Sequence, residues 1–498
     1  MPNESAVRPG KRKARSSFYF RAALWVIGLG TIFHLAYSTH LELVGDEAYY
    51  WLWSRHPDLC YLDKGPMIAW LITAGTALFG QTVFGIRFFA VVLAGGTGVA
   101  ILLLARRLFS DRVAFWAIVA AAVIPLFSVG SSLMTIDTVY VFFWSWAALA
   151  FWWAKDQRGL GPWILTGALV GLGLLSKYTA AIELLSFAAF CLWHRPSRVH
   201  FRRVTFWAML ATALLFLAPA IIWNVQHDWP TSSWLLARGG LNKPAGIHPA
   251  FVLDFVCAQA GVISPFLLLG LLFVFFRTSL WRAPQPATGY AAALFLPLFG
   301  LYLLLSFHYR GQPNWTAAAY VGGVVLLAAK WLDLIKLHPW TRWLAIAALL
   351  FAAVETAILL DTRWLHLPHG RDPLDRARGS RDLAAQVARW QKATGAKFII
   401  ADHYMTAALL SFYLPGQPET FVPVEPRPRD QLELWPTFDE KYPASDGLIV
   451  AKHAKLVRSL PRSFARVKSL GTLEVVDGGR KIESYQLFLG ERERHAEH

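Results

Sequence analysis

Charge is scarce in this chain. Only 16% of its 498 residues are charged, against about 25% in an ordinary soluble domain, while 55% are hydrophobic. That balance excludes an ordinary soluble globular protein and makes lipid the solvent. Cysteine is nearly absent: Cys60, Cys191 and Cys257 are isolated, which excludes a disulfide framework and any cysteine metal spacing. The chain also lacks a glycine-rich phosphate loop, an argument against nucleotide binding. It has no internal repeat, and no low-complexity tract beyond a basic N-terminal tail.

What is present is aromatic and apolar, with 23 Trp and 34 Phe. Runs of roughly 20 apolar residues are long enough to cross a hydrocarbon core as helices. The formal charge of +16 would suggest nucleic acid, but the basic residues cluster between alternate runs. Lys11, Arg12, Lys13 and Arg15 precede the first; Arg106, Arg107 and Arg112 follow the second; later clusters include Arg195, Arg198, Arg202, Arg203, Arg277 and Arg282. This is the positive-inside pattern; it puts the N-terminus in the cytoplasm and makes nucleic-acid binding an unnecessary explanation.

Counting runs by this rule gives about eleven transmembrane helices: 18–39, 84–104, 113–129, 138–154, 162–176, 178–193, 205–223, 250–276, 288–306, 316–333 and 343–360. The first is read as a retained signal anchor. The segment 66–80 is apolar too, but counting it as a span would move every later basic loop outward. It is therefore expected to lie along the outer face, within one long external loop over 41–83. The expected organisation is a basic cytoplasmic tail over 1–17, a transmembrane domain over 18–360 and an outward C-terminal domain over 361–498. Past Leu360 the chain turns polar. A helix is expected around Asp382 to Trp390, a strand at Lys397 to Ala401, a helix from Tyr404 to Tyr413, a strand from Gly447 to Ala451, and late strands near Thr472 to Val476 and Glu483 to Leu489. The fold class is thus mainly α, polytopic, with a small soluble α/β domain at the C-terminal end.

The polar residues that can do chemistry lie in the outward loops. Asp46 and Glu47 open the long loop just beyond the first span, followed by Tyr49, Tyr50, Trp51 and Trp53. Adjacent acids in a partly dehydrated cleft suit a catalytic base with a supporting acid or metal ligand; an aromatic belt at headgroup depth is the plainer reading. Asp63-Lys64-Gly65-Pro66 places a lysine where it can hold a lipid-linked phosphate or simply anchor the helix that follows. Asp137 opens the fourth span, as a functional acid or a helix cap. Lys177 is an outward lysine that breaks the charge alternation. Two further loops carry His227, Asp228, Arg238 and Lys243, and His308, Tyr309, Arg310, Gln312, Asn314 and Trp315; the second suits a phosphate or sugar.

Taken in order, these elements resemble the membrane glycosyltransferases of the C superfamily (GT-C). The likeness is to bacterial relatives of protein O-mannosyltransferases and of the lipid A aminoarabinose transferase, the family-39 and family-83 types, and covers roughly 18–360. It implies an inverting sugar transfer from a polyprenyl-phosphate donor to a lipid, glycan or protein acceptor of the cell envelope, at the outer face of the bacterial inner membrane. By the same resemblance Asp46 is the candidate base, with Glu47 and Asp137 in the catalytic set. Lys64 is the donor-phosphate ligand, with Lys177 and Arg310 as further phosphate contacts, and Tyr49, Asp63, His308, Asn314 and Trp315 as substrate contacts. A divalent metal held by Asp46 and Asp137 is a candidate cofactor. Gly65, between Lys64 and Pro66, departs from the family's acid-Lys-Pro pattern. A transporter or flippase is the alternative from another class, and would show broken helices with ionisable groups at mid-depth.

Overall fold

The computed structural model describes residues 9–238, 246–277, 285–368, 370–424, 428–452 and 463–492. Lys243 and Arg282 therefore lie outside the described residues. Apolar runs close their own backbone hydrogen bonds as helices, the arrangement lipid demands. Among the described residues five helices are long and apolar enough to cross a bilayer: Ser17–Tyr37, Val83–Leu108, Val204–Gln226, Pro286–Ser306 and Thr341–Leu360. The pair Pro249–Ile263 and Pro265–Phe276 makes a sixth if it counts as one span. Shorter apolar helices, among them Met67–Phe79 and Leu160–Leu174, pack beside them. Aromatic side chains fill much of the core, as where Phe151 stacks on Phe187 with ring centroids 4.1 Å apart.

Prolines and polar side chains set boundaries that hydropathy misses. The run 250–276, expected as one span, turns through 111° at Ser264, whose φ is 75°, because Pro265 has no N–H to continue the helix. Pro125 likewise interrupts the run 113–129, which forms Asp111–Val123 and Pro125–Gly130. The acids after the first span do not start a solvated loop. They sit in the first turn of a buried helix, Gly45–Arg55, where carboxylates suit the positive end of the dipole. Asp137 does not cap its helix, Ile136–Ala154, but lies within its first turn, with extended Thr135 before it.

The C-terminal part holds a four-stranded sheet of β1 (Phe398–Ala401), β2 (Gly447–Ala451), β3 (Arg466–Asp477) and β4 (Arg480–Glu491), in the order β1-β2-β4-β3. β1 and β2 are parallel and wholly buried, which explains their unbroken apolar sequences. Gly478 and Gly479, both at positive φ, make the two-residue turn that closes the β3–β4 hairpin. Helices Ser380–Thr394 and Tyr404–Tyr413 join the sheet to the membrane part. The Leu43 amide donates to the Tyr413 hydroxyl (2.8 Å), the Glu42 carboxylate accepts from the Ser380 amide (2.6 Å), and Phe412 meets the Trp51 ring edge-on at 5.0 Å.

Candidate active site

Gly45–Arg55 separates the two adjacent acids, since neighbouring helical positions point about 100° apart. Glu47 turns inward and is fully buried. Its carboxylate takes a forked pair from Arg87, at 2.8 Å from Nε and 2.6 Å from Nη2, together with the amides of Val44 (3.1 Å) and Met134 (2.8 Å). Arg87 spends its remaining N–H groups on the carbonyls of Ser38, Leu41 and Glu42. Both partners are saturated, and Glu47 does not reach the cleft.

Asp46 faces the other way, into a cavity of about 1800 Å³. Its Oδ1 lies 3.4 Å from the hydroxyl of Tyr404, which donates to it. Burial raises its pKa, with Lys64 and Arg376 pulling the other way and Asp63 adding to the rise. A carboxyl so placed is more basic than one in water, as proton abstraction from a hydroxyl requires.

Two lysines open on the same cavity. Lys64 Nζ donates to Asp63 through the carboxylate (3.0 Å) and the backbone carbonyl (3.1 Å), and stands 4.3 Å from the centre of the Trp234 ring. Lysine has three N–H donors, so one is left for a ligand. Lys177 Nζ is 2.6 Å from Asp137 Oδ1, and Asn314 donates to the other Asp137 oxygen. The two lysine loops touch each other: a Cβ built on Gly65 would lie 2.0 Å from the Leu175 carbonyl oxygen, which also accepts from the Met67 amide. The glycine between Lys64 and Pro66 is what lets the Lys64 turn sit against the Lys177 turn.

Of the residues expected from the sequence, Asp46, Asp63, Lys64, Asp137, Lys177, Tyr49, Asn314 and Trp315 line this one cavity. Glu47, His308 and Arg310 do not. Arg310 is exposed and paired with Asp254 at 2.9 Å, because the loop turns its charge away from the cleft. Among the described residues no three His, Cys, Asp or Glu side chains gather to hold a metal, and both Asp137 oxygens are engaged by nitrogen donors. The donor set does not fit a metal held between Asp46 and Asp137.

The C-terminal part supplies a wall of the cavity that local sequence gave no sign of: Arg376, His403, Tyr404, Met405, Arg429 and Asp430. Met405 packs so close to Gly45 that a Cβ there would lie 2.5 Å from the Met405 Cβ. His403 accepts from the Met405 amide as a helix cap, and burial lowers its pKa. Burial, reinforced by Glu433, pushes Asp430 up to about 7. Opposite this polar end, the cavity runs between membrane helices along small and apolar residues such as Gly30, Ala94, Gly95, Ala122 and Ala357.

Residues 63–223 match the family model described as dolichyl-phosphate-mannose-protein mannosyltransferase. Over 380 residues the chain is 27% identical to the lipid A galacturonosyltransferase RgtD of Rhizobium johnstonii, covering 74% of this chain and 77% of that one. It is 29% identical over 196 residues to the undecaprenyl phosphate-alpha-4-amino-4-deoxy-L-arabinose arabinosyl transferase of Pseudomonas aeruginosa, a match spanning 35% of this chain and 36% of that relative. The crystal structure of ArnT from Cupriavidus metallidurans bound to undecaprenyl phosphate superposes with a TM-score of 0.64 at 17% identity, over 93% of this chain and 97% of that one. The chain is a glycosyltransferase, similar in sequence and in fold to membrane enzymes of the GT-C type, among them relatives that modify lipid A.

Proposed function

We propose that this enzyme moves a sugar from a polyprenyl-phosphate donor to a lipid A-type glycolipid at the outer face of the bacterial inner membrane, with inversion at the anomeric carbon. The observation that carries the reading is a single cavity with two ends. One end joins Asp46 to the cations Lys64 and Lys177, and the other is an apolar slot between membrane helices. A polyprenyl chain fits the slot and leaves its phosphate at the depth of the lysines. Asp46 takes the proton of an acceptor hydroxyl as its oxygen attacks the anomeric carbon. The bond from that carbon to the phosphate oxygen breaks, and Lys64 and Lys177 neutralise the departing polyprenyl phosphate. Asp63 keeps one buried carboxylate oxygen without a hydrogen-bond partner, available to a sugar hydroxyl or amine. Asp137 and Asn314 orient Lys177, Tyr49 and Trp315 line the sugar site, and no step needs a metal.

The named relatives support this donor and acceptor class. Charge alternation supports eleven spans, a cytoplasmic N-terminus and an extracytoplasmic domain over 361–498. The packing of that domain on Gly45–Arg55 is in keeping with both lying on one side. A carrier would also show a broken helix, and Glu355 does stand beside the break at Ser264, but the paired charges gather instead at the polar end of the cavity with Asp46.

The test is mass spectrometry of envelope lipids from cells with and without this gene, alongside transfer by the purified chain in nanodiscs supplied with undecaprenyl-phosphate sugars. A sugar missing from a lipid A-type molecule, restored in vitro, is the expected result. Unchanged envelope glycans together with transmembrane movement of the donor lipid would replace the reading with a flippase.

A further inference from the structure

The cavity lining carries four acids, Asp46, Asp63, Asp137 and Asp430, and two of them are already matched: Asp63 by Lys64 and Asp137 by Lys177. Arg376 adds a cation from the C-terminal domain that, among the described residues, makes no hydrogen bond or ion pair. Its backbone is tightly held. The short turn Asp375–Ala377 is pinned by Leu374 and Ala377, which bury against Leu41 and Val44 just before Asp46. The Ala377 carbonyl accepts from the Glu42 amide at 3.1 Å, and the flanking acids Asp372 and Asp375 are tied to Arg378 and Arg480. Leu374 and Ala377 point into the protein while Arg376 between them is exposed at the cavity. Its charge is felt at Asp46, whose carboxyl it makes more acidic.

We propose that Arg376 is a docking point for an anionic oxygen group, carboxylate or phosphate, on the substrate that reacts at Asp46. The inference rests on the reading of the cavity as a sugar-transfer site. A guanidinium offers a planar fork that matches either anion, and a stiff turn spares most of the ordering cost of binding. Lys64 and Lys177 are placed for the phosphate of the polyprenyl donor. Arg376 stands on a different segment from both lysines and pairs with neither Asp63 nor Asp137, which leaves its guanidinium open to a second anion. Two sources share this chemistry: a uronic acid carboxylate on the donor sugar, or a phosphate on the acceptor glycolipid.

The test measures binding to the full-length chain in nanodiscs, for wild type, Arg376→Ala and Arg376→Lys. The donor arm compares undecaprenyl-phosphate galacturonic acid with its methyl ester; the acceptor arm compares lipid A carrying phosphates with its dephosphorylated form. Arg376→Ala is expected to weaken one anionic probe about ten- to a hundredfold while leaving its neutral counterpart unchanged, with partial recovery in Arg376→Lys. Loss in the donor arm assigns the sugar carboxylate; loss in the acceptor arm assigns the acceptor phosphate. Equal loss for charged and neutral probes, no loss in either arm, or a wild type indifferent to probe charge overturns the proposal and leaves a solvated arginine. Transfer assayed on the same preparations separates the two claims. Charge-selective binding without any sugar transfer sinks the transferase reading and keeps the anion site.

Discussion

Lys177 and Asp137 stand 2.6 Å apart at the floor of the cavity, both side chains about nine-tenths shielded, with Asn314 on the far oxygen of the carboxylate. Removing one member of such a pair leaves a shielded charge alone, at a cost of about 3–5 kcal/mol. Asp137→Asn and Lys177→Met are each expected to lower thermal stability in detergent, and the double variant to recover part of the loss while remaining without transfer. Stabilities of the two singles that simply add in the double would show that the pair is not coupled.

Asp46→Asn is expected to give a folded, monodisperse protein that binds donor lipid and transfers nothing. Because burial raises the Asp46 pKa and a base must be ionised to act, the acid limb of the kcat/KM profile should fall above the ordinary carboxylate range. The Tyr404 hydroxyl bond favours the charged form, so Tyr404→Phe should move that limb to higher pH. A limb that stays put, or moves down, would rule Asp46 out as its source.

Glu47→Gln is expected to act on folding, unlike its neighbour. Arg87 would keep its carbonyl partners but lose the compensating charge, and the variant should be poorly extracted and aggregate on size exclusion. Normal yield with selective loss of transfer would return Glu47 to the chemistry.

Asp430 makes stability depend on pH in a defined direction. Its folded pKa of about 7 lies above the value of 3.8 it has when solvated, so the folded state binds the extra proton between those values. That contribution is complete below about pH 4 and is lost as pH rises through about 7. Melting curves of wild type should therefore fall between pH 5.5 and 8 more steeply than those of Asp430→Asn. Parallel pH slopes would show that Asp430 is not proton-linked to folding.

How much of this was legible in the sequence varied by residue. The strand Gly447–Ala451 and the helix Tyr404–Tyr413 lie where periodicity placed them, because short buried strands and a capped helix are local features. Asp46, Lys64, Asp137 and Lys177 were visible as polar exceptions in apolar surroundings, and they do share one cavity. The separation of Asp46 from Glu47 required knowing that Gly45–Arg55 is helical. Its aromatic run read equally well as an interfacial loop. The bend at Ser264 was hidden because hydropathy weights Pro265 lightly although it removes a backbone donor. The wall made by Arg376, Tyr404 and Asp430 could not be read at all, since it depends on contacts over more than three hundred residues, such as Tyr404 with Asp46.

The bare backbone of Gly45 against Met405 has a consequence for anyone recombining this enzyme with its relatives. The seam between its parts does not run where the composition changes, near residue 361. A chimaera joined there would set a foreign side chain on Gly45 and a foreign turn on Leu41 and Val44, distorting the approach to Asp46. The segment from Leu41 to Pro66 travels with the C-terminal part, and a working exchange of that part needs two crossovers in place of one.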